Sequence, residues 1–260
     1  MSLQELLQPH ARSAYPRRQV DARAPPSPRQ NRLLGELPPR PYDRLLAELR
    51  PVHMPAGWTL HGPGNPEEFL YFPTSGVVSR CYVTHDGASA QFAVTGNEGF
   101  IGVASFLGAG STLTQAVVLS PGFAYRLRSE LLRDELLKGG PLARLLLRYT
   151  QALIAQAGQA AVCNRYHTLD QQLSRWILSM LDRLPTNELA ITQELIASVL
   201  GVRRESITLA AGKLQEEGAI RYSRGHIAVL DRPRLAAQAC ECYAVVKREF
   251  DRLLPPHTAA

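Results

Sequence analysis

ITQELIASVLGVRRESITLAAGKLQ, Ile191 to Gln215, holds two apolar stripes at helical spacing separated by a glycine. Leu195, Ile196, Val199 and Leu200 form the first stripe, and Ile207, Ala210, Ala211 and Leu214 repeat the i, i+3, i+4, i+7 pattern after the break at Gly201. The spacing predicts two short helices meeting at a glycine turn. A pair of this kind, with polar residues on the outward face of its second helix, is the helix-turn-helix that lays a recognition helix in the DNA major groove. The outward face here is Arg204, Glu205, Thr208 and Gln215, opened by Arg203. On periodicity alone, an ordinary αα-hairpin packed in a helical domain fits equally well.

The residues after Leu214 separate the two possibilities. Ala219 to Tyr222 and His226 to Leu230 are strand-like runs around Ser223, Arg224 and Gly225. A hairpin directly behind a recognition helix makes a winged helix. In order, spacing and wing the stretch resembles the C-terminal domain of the Crp/Fnr transcription regulators, on Thr192, Gln193, Leu200, Gly201, Arg224 and Gly225. Candidate DNA contacts then take roles by chemistry. Thr192 and Gln193 open the first helix, where a hydroxyl, an amide and free N–H groups suit a phosphate oxygen. Arg203, Arg204, Glu205, Ser206 and Thr208 occupy the first turns of the second helix, the part that enters the groove. Arg204 suits guanine O6 and N7, and Glu205 suits cytosine N4. Arg224 and His226 of the wing lie near the DNA backbone in this reading. In well-known family members an arginine stands where this chain has Leu209, which suits a thymine methyl instead. Gly212, costing about 1 kcal/mol against alanine in mid-helix, has no evident reason in the sequence.

The chain has 260 residues, enough for two domains. A formal charge of +6 and a pI near 9.3 favour a polyanionic partner, nucleic acid above all. The four cysteines, at 81, 163, 240 and 242, form no CxxC, and no histidine pair has zinc spacing. Read as helical, Cys240 and Cys242 lie about 200° apart round the axis and cannot chelate one metal from one face. No metal and no cofactor are expected, and the thiols are read as reduced. The missing N-terminal cysteine cluster also argues against the iron–sulfur sensors of the family. The N-terminus lacks the apolar core of a signal peptide. The uncharged run Phe100 to Tyr125 is interrupted by four glycines and Pro121, a poor membrane helix. A soluble, cytoplasmic protein is expected. With no GxSxG, HExxH, Walker loop or GxGxxG, and seven scattered histidines, the chain does not read as an enzyme.

Residues 1–30 contain five prolines, with Arg12, Arg17, Arg18, Arg23 and Arg29 against Glu5 and Asp21, the composition of a disordered basic arm. From Val52 to Leu127 short apolar or alternating runs are separated by regularly spaced turns, the texture of an all-β sandwich or barrel. Tyr71-Phe72-Pro73, Gly76-Val77-Val78-Ser79 and Asp86-Gly87 resemble the cyclic-nucleotide-binding-type β-roll of the same family, which extends the resemblance over about residues 31–250. From Pro141 to Tyr166 the period becomes helical. Leu142, Leu146, Tyr149, Leu153, Gln156, Ala160 and Cys163 follow alternating steps of four and three, a heptad-like seam. A core helix packed on the β-roll would show a similar stripe. The resemblance makes this helix the dimer interface, with Gln156 fixing register. Thr168 and Gln171 form a capping box for a further helix, and a terminal helix is read from about Pro233 to Leu254.

The resemblance also bears on the sensor. Family members that bind cyclic AMP carry a glycine–glutamate pair for the ribose and an arginine–serine pair for the phosphate. Aligning Phe100-Ile101-Gly102 and Gly110 with that cassette puts Val103 in place of the glutamate and Leu113 or Thr114 in place of the arginine. A small slip in the alignment does not restore the cation, because no Lys or Arg occurs from Cys81 to Tyr125. The candidate effector-pocket residues are Phe100, Gly102, Val103 and Thr114, and the pocket implied by Phe100, Ile101, Val103, Phe106 and Leu107 looks apolar, which leaves room for a hydrophobic effector or for none; no cyclic nucleotide is expected. The expected fold is α+β: an N-terminal β-roll of the double-stranded jelly-roll type (31–140), a long dimerisation helix (141–166) and a C-terminal winged helix-turn-helix domain (167–255). The expected function is a homodimeric regulator binding a palindromic operator in double-stranded DNA. RNA polymerase is a further candidate partner, and the small-molecule effector is unknown. The alternative from another class is a ligand-binding or scaffold protein that uses the winged helix for protein contacts.

Overall fold

The computed structural model describes residues 25–137 and 139–254. Most of the predicted basic arm, residues 1–24, lies outside them. Residues 25–30 do not behave as an arm. Pro26 accepts a hydrogen bond from the Tyr125 hydroxyl at 3.0 Å, and the Arg29 guanidinium stacks 3.7 Å from the Tyr42 ring centroid. Helix α1 (Arg32–Gly35) starts at Asn31, which is fully buried. Its amide nitrogen donates to the carbonyls of Pro73 and Gly99, at 2.9 and 2.8 Å, while its oxygen caps Leu34 N–H. One side chain thus fastens the start of the fold to the end of a later strand at Pro73 and to the loop at Gly99. Helix α2 (Pro39–Leu46) comes next, with proline in its first turn.

Seven strands then form two antiparallel sheets. β1 (Arg50–Met54), β3 (Phe69–Pro73) and β7 (Gly122–Arg128) pair in the order β1-β7-β3. β2 (Thr59–His61), β4 (Val77–Val83), β5 (Ser89–Thr95) and β6 (Gln115–Ser120) pair as β2-β6-β4-β5. Strand β4 is buried at all of its first five positions. Its alternation nevertheless has a meaning: Val78 faces the roll interior with Tyr71 and Ile101, while Val77 and Cys81 face the C-terminal domain. The helix α3 (Val103–Phe106) sits between β5 and β6, entered through Gly102 at φ 110°. A Cβ there would lie 3.0 Å from Leu70 Cγ, so backbone conformation and space both require glycine.

After α4 (Ser129–Leu137), helix α5 runs from Pro141 to Tyr166, the span predicted from periodicity. Helix α6 (Leu169–Leu181) begins at the Thr168–Gln171 capping box, also as predicted. The winged domain comprises β8 (Glu188–Ala190), α7 (Gln193–Leu200), α8 (Arg204–Glu216), β9 (Ile220–Ser223) and β10 (His226–Val229), with sheet order β8-β10-β9. The predicted terminal helix is two helices, α9 (Arg232–Gln238) and α10 (Cys242–Leu253), because the helix breaks at Ala239 to Glu241 and α10 turns back along α5. Its Phe250 reaches Tyr149, and Leu254 O accepts from Arg32.

Two glycines give opposite expectations. A Cβ at Gly99 would fall 2.0 Å from Tyr149 Cε2, in a fully buried ring that also hydrogen-bonds Thr95 Oγ1 at 2.8 Å. Gly99→Ala should therefore cost about 1–3 kcal/mol by overpacking. At Gly212 an added Cβ meets nothing within 4 Å, so no packing explains the glycine. Gly212→Ala should stabilise the protein by about 1 kcal/mol. Urea unfolding of both variants against wild type checks the two signs together.

Candidate nucleic-acid interface and sensor interior

The helix-turn-helix is built as its sequence implies. Thr192 is the N-cap of α7, accepting from Leu195 N–H at 3.2 Å, and Gly201 ends that helix at φ 69°. Ile207, Ala210, Ala211 and Leu214 bury one side of α8 against α6 and α7, which leaves Arg203, Arg204, Glu205 and Thr208 exposed. Leu209 joins that face, 70% exposed. Thr208 Oγ1 donates to Gln193 Oε1 at 2.8 Å, which turns the Gln193 amide N–H groups outward. The wing turn is Arg224-Gly225, both at positive φ (45° and 80°), the backbone of a two-residue hairpin matched to strand twist. Thr192, Gln193, Arg204, Arg224 and Gly225 line one shallow cleft with Tyr222. Ser206 is half-buried, and so is His226, which lines a separate cavity with Ser75, Leu119, Leu184 and Ile191 between the roll and the winged domain. Gln215 differs from expectation: its Oε1 accepts from Tyr222 N–H at 2.8 Å, so it braces the wing against α8.

The sensor interior differs more. Phe100 and Val103 are core residues, with Phe100 packed on Phe72, Phe106 and Tyr149. Leu113 is 77% exposed, and Thr114 bonds Thr112 at 2.8 Å. The aligned residues are divided between core and surface. Nor is the interior apolar. Arg80, on the inward side of β4 beside a register shift, is 5% exposed, and its Nε and Nη1 have no hydrogen-bond partner. Near it lie His61, whose Nε2 is also unpartnered, and Glu67, which accepts from Ser105 N–H at 2.8 Å. Burial first, then Arg80, lowers His61 to about 4, while burial raises Glu67. Arg80 stands one residue before the span from Cys81 to Tyr125 that lacks a basic side chain. With both faces of β4 covered, its run of buried positions gives no signal of where Arg80 points.

The heptad-like seam on α5 is corrected as well. Leu142, Leu146, Tyr149, Leu153, Gln156, Ala160 and Cys163 are all buried within this single chain, against the β-roll, α1 and α10. The opposite side carries Leu147 (55% exposed), Gln151, Ile154 (60%), Gly158 and Val162 (44%), in similar steps of four, three, four and four. Each side of a long helix packed on a core repeats every three or four residues, so period alone cannot choose between them. The C-terminal end of α5 departs from expectation too. Cys163, His167, Cys240 and Cys242 offer ligand atoms that all lie within 4.8 Å of one another. Cys240 stands in the break before α10, not in a helix, so the geometric objection to a shared metal does not hold.

A β-roll joined by a long helix to a winged helix-turn-helix defines a Crp-like transcriptional regulator with a DNA-binding domain. Residues 171–238 match the Crp-like helix-turn-helix domain and residues 51–138 the cyclic nucleotide-binding domain. The chain belongs to the Crp/Fnr family of regulators. It is similar to the CRP-like cAMP-activated global transcriptional regulator of Mycobacterium tuberculosis, 24% identical over 202 residues, spanning 75% of this chain and 90% of that one. In fold it resembles a Crp/Fnr-family regulator from Eubacterium rectale (TM-score 0.64, 21% identity, 79% of this chain and 96% of that chain). FixK2 from Bradyrhizobium japonicum is similar in fold too (TM-score 0.62, 17% identity, 74% and 98%). Among the described residues no helix is long and apolar enough to cross a membrane.

His61 yields a pH expectation. The unfolded chain binds its proton near the ordinary value of 6.5 and the folded chain only near 4, so stability from this group is present above 6.5 and lost as pH falls toward 4. Glu67, raised by burial, acts with the opposite sign, and His61→Gln isolates the histidine. Between pH 7 and pH 5 the wild type should lose on the order of 1–2 kcal/mol more than His61→Gln in urea unfolding.

Proposed function

We propose that the protein regulates transcription as a homodimer bound to a two-fold symmetric DNA site. The observation that carries this reading is the exposed pairing of two surfaces: the basic face of α8 with the wing turn, and the apolar stripe on α5. Leu147, Ile154 and Val162 are large apolar side chains left open at heptad-like spacing, which a second copy of the same helix would cover. Two recognition helices related by that symmetry reach successive major grooves, about 34 Å apart. Arg204 and Glu205 read base edges, while Thr192, Gln193 and Arg224 hold phosphates. The effector is not a cyclic nucleotide. Val103 begins α3 inside the core, and the interior cation is Arg80, near enough to Glu67 to feel its charge but with Nε and Nη1 unpartnered, so the ribose and phosphate anchors are both absent from the cassette. A small anion that Arg80 can pair suits the interior better, because an unpaired buried charge is costly.

Leu147→Glu with Ile154→Glu should give a folded monomer with weakened DNA binding, whereas Leu146→Glu with Leu153→Glu should unfold the chain. Sedimentation and circular dichroism separate the pairs, and a wild-type monomer would overturn the reading. Arg204→Ala should cost about 1–3 kcal/mol and relax discrimination at one base pair per half-site, while Arg224→Ala weakens all sequences alike. Binding titrations over a range of salt, on operator variants, measure both. For the effector, calorimetry with cyclic AMP decides: saturable micromolar binding that changes DNA affinity refutes the proposal.

A further inference from the structure

We propose that Cys163, His167, Cys240 and Cys242 form a closed tetrahedral site for a single zinc-type divalent ion, which clamps the C-terminal helix to the end of α5. Cys163 and His167 stand one turn apart, the second as the C-cap of α5. Cys240 and Cys242 flank Glu241 at the break before α10. The three thiols are nearly or fully buried and form a small cluster of their own, apart from the larger apolar cores.

The distances suit one ion. Zinc holds sulfur at about 2.3 Å and nitrogen at about 2.0–2.1 Å, so the edges of a regular tetrahedron are about 3.8 Å between sulfurs and about 3.5 Å between sulfur and nitrogen. Cys163 Sγ and Cys240 Sγ are 3.5 Å apart, and Cys242 Sγ lies 3.4 Å from His167 Nδ1. All four ligand atoms fall within 4.8 Å. An iron–sulfur cluster, with inorganic sulfides between its irons, needs its cysteines further apart. A disulfide would use two sulfurs and leave Cys242 and His167 without a role.

The surroundings of the ligands point the same way. His167 Nε2 lies 3.2 Å from the Glu241 carboxylate, so that nitrogen carries the proton and Nδ1 offers its lone pair toward Cys242. A carboxylate behind the ligating histidine is the usual outer support of a zinc site. Gln159 Nε2 donates to Cys242 Sγ at 3.1 Å, an outer hydrogen bond to a ligand sulfur. Cysteine binds the ion as thiolate, so the ion must displace the thiol protons. Zinc affinity therefore falls steeply as pH drops.

The site joins the end of α5 to the α9–α10 junction, and so ties the long helix to the C-terminal helix that lies along it. The full-length protein, purified under reducing conditions without chelator, should contain about one zinc per chain, the stoichiometry of a closed site. Cobalt(II) in its place should show the visible ligand-field bands and near-ultraviolet thiolate charge transfer of tetrahedral sulfur-rich coordination. Cys240→Ser with Cys242→Ser should lose both signals while Cys81→Ser keeps them. Glu241→Ala, which leaves every ligand in place, should weaken zinc binding about 10–100-fold in competition with a chromophoric chelator. A strong chelator should lower the melting temperature of the wild type and leave the double variant unchanged. The proposal is overturned by reduced protein that takes up no stoichiometric zinc, by a cobalt spectrum that survives the double substitution, or by a Cys163–Cys240 disulfide under anaerobic purification.

Discussion

One sheet serves as the wall of two cores, and the rest of the molecule depends on that sharing. The sheet β2-β6-β4-β5 presents Val78 and Ala116 to the roll interior and Val77, Cys81, Val94, Val117 and Leu119 to the winged domain. Trp176 of α6, buried against it, donates its indole N–H to Gln91 Oε1 at 2.9 Å, and Gln91 passes a bond on to Ser79 at 2.7 Å. Ser89 Oγ meets the carbonyl and hydroxyl of Ser198, at 3.2 and 3.1 Å. Area buried on both faces of one sheet couples the stability of the two halves.

A buried ion pair sits at the rim of this interface. Arg183 Nε lies 2.7 Å from Glu98 Oε1, and the carboxylate also accepts from Gly96 N–H. Such a pair adds little net stability over an apolar pair of the same shape, but losing either partner strands a charge. Its contribution is orientation. It fixes the end of α6 against the β5–α3 loop, and thereby the angle at which the helix-turn-helix leaves the roll.

Local signals in the sequence are legible where local physics decides the outcome. The capping box at Thr168, the start of α5 at Pro141, the glycine end of α7 and the Arg224-Gly225 wing turn each depend on a few adjacent residues. Which side of an element faces which neighbour is not legible in the same way. The stripe from Leu142 to Cys163 and the stripe from Leu147 to Val162 both step by three or four residues, and only the fold says which meets the β-roll. Arg80 hides within a strand covered on both faces. The Cys163–His167 and Cys240–Cys242 pairs stand 77 residues apart between the buried sulfurs, and only the return of α10 along α5 brings them together. That return depends on a three-residue break whose composition, Ala-Cys-Glu, carries no proline or glycine to announce it.

The placement of the two tryptophans gives the molecule a pair of built-in optical probes. Trp58 packs edge-on to Tyr71, whose ring in turn meets His61 at the roll interior, whereas Trp176 lies in the seam between the roll and the winged domain. The chain holds no others. Emission from the first is sensitive to what enters the roll, and emission from the second to whether the two halves separate. A protein with each tryptophan replaced in turn by phenylalanine can therefore be watched by steady fluorescence for ligand entry and domain movement as distinct events, without any attached dye.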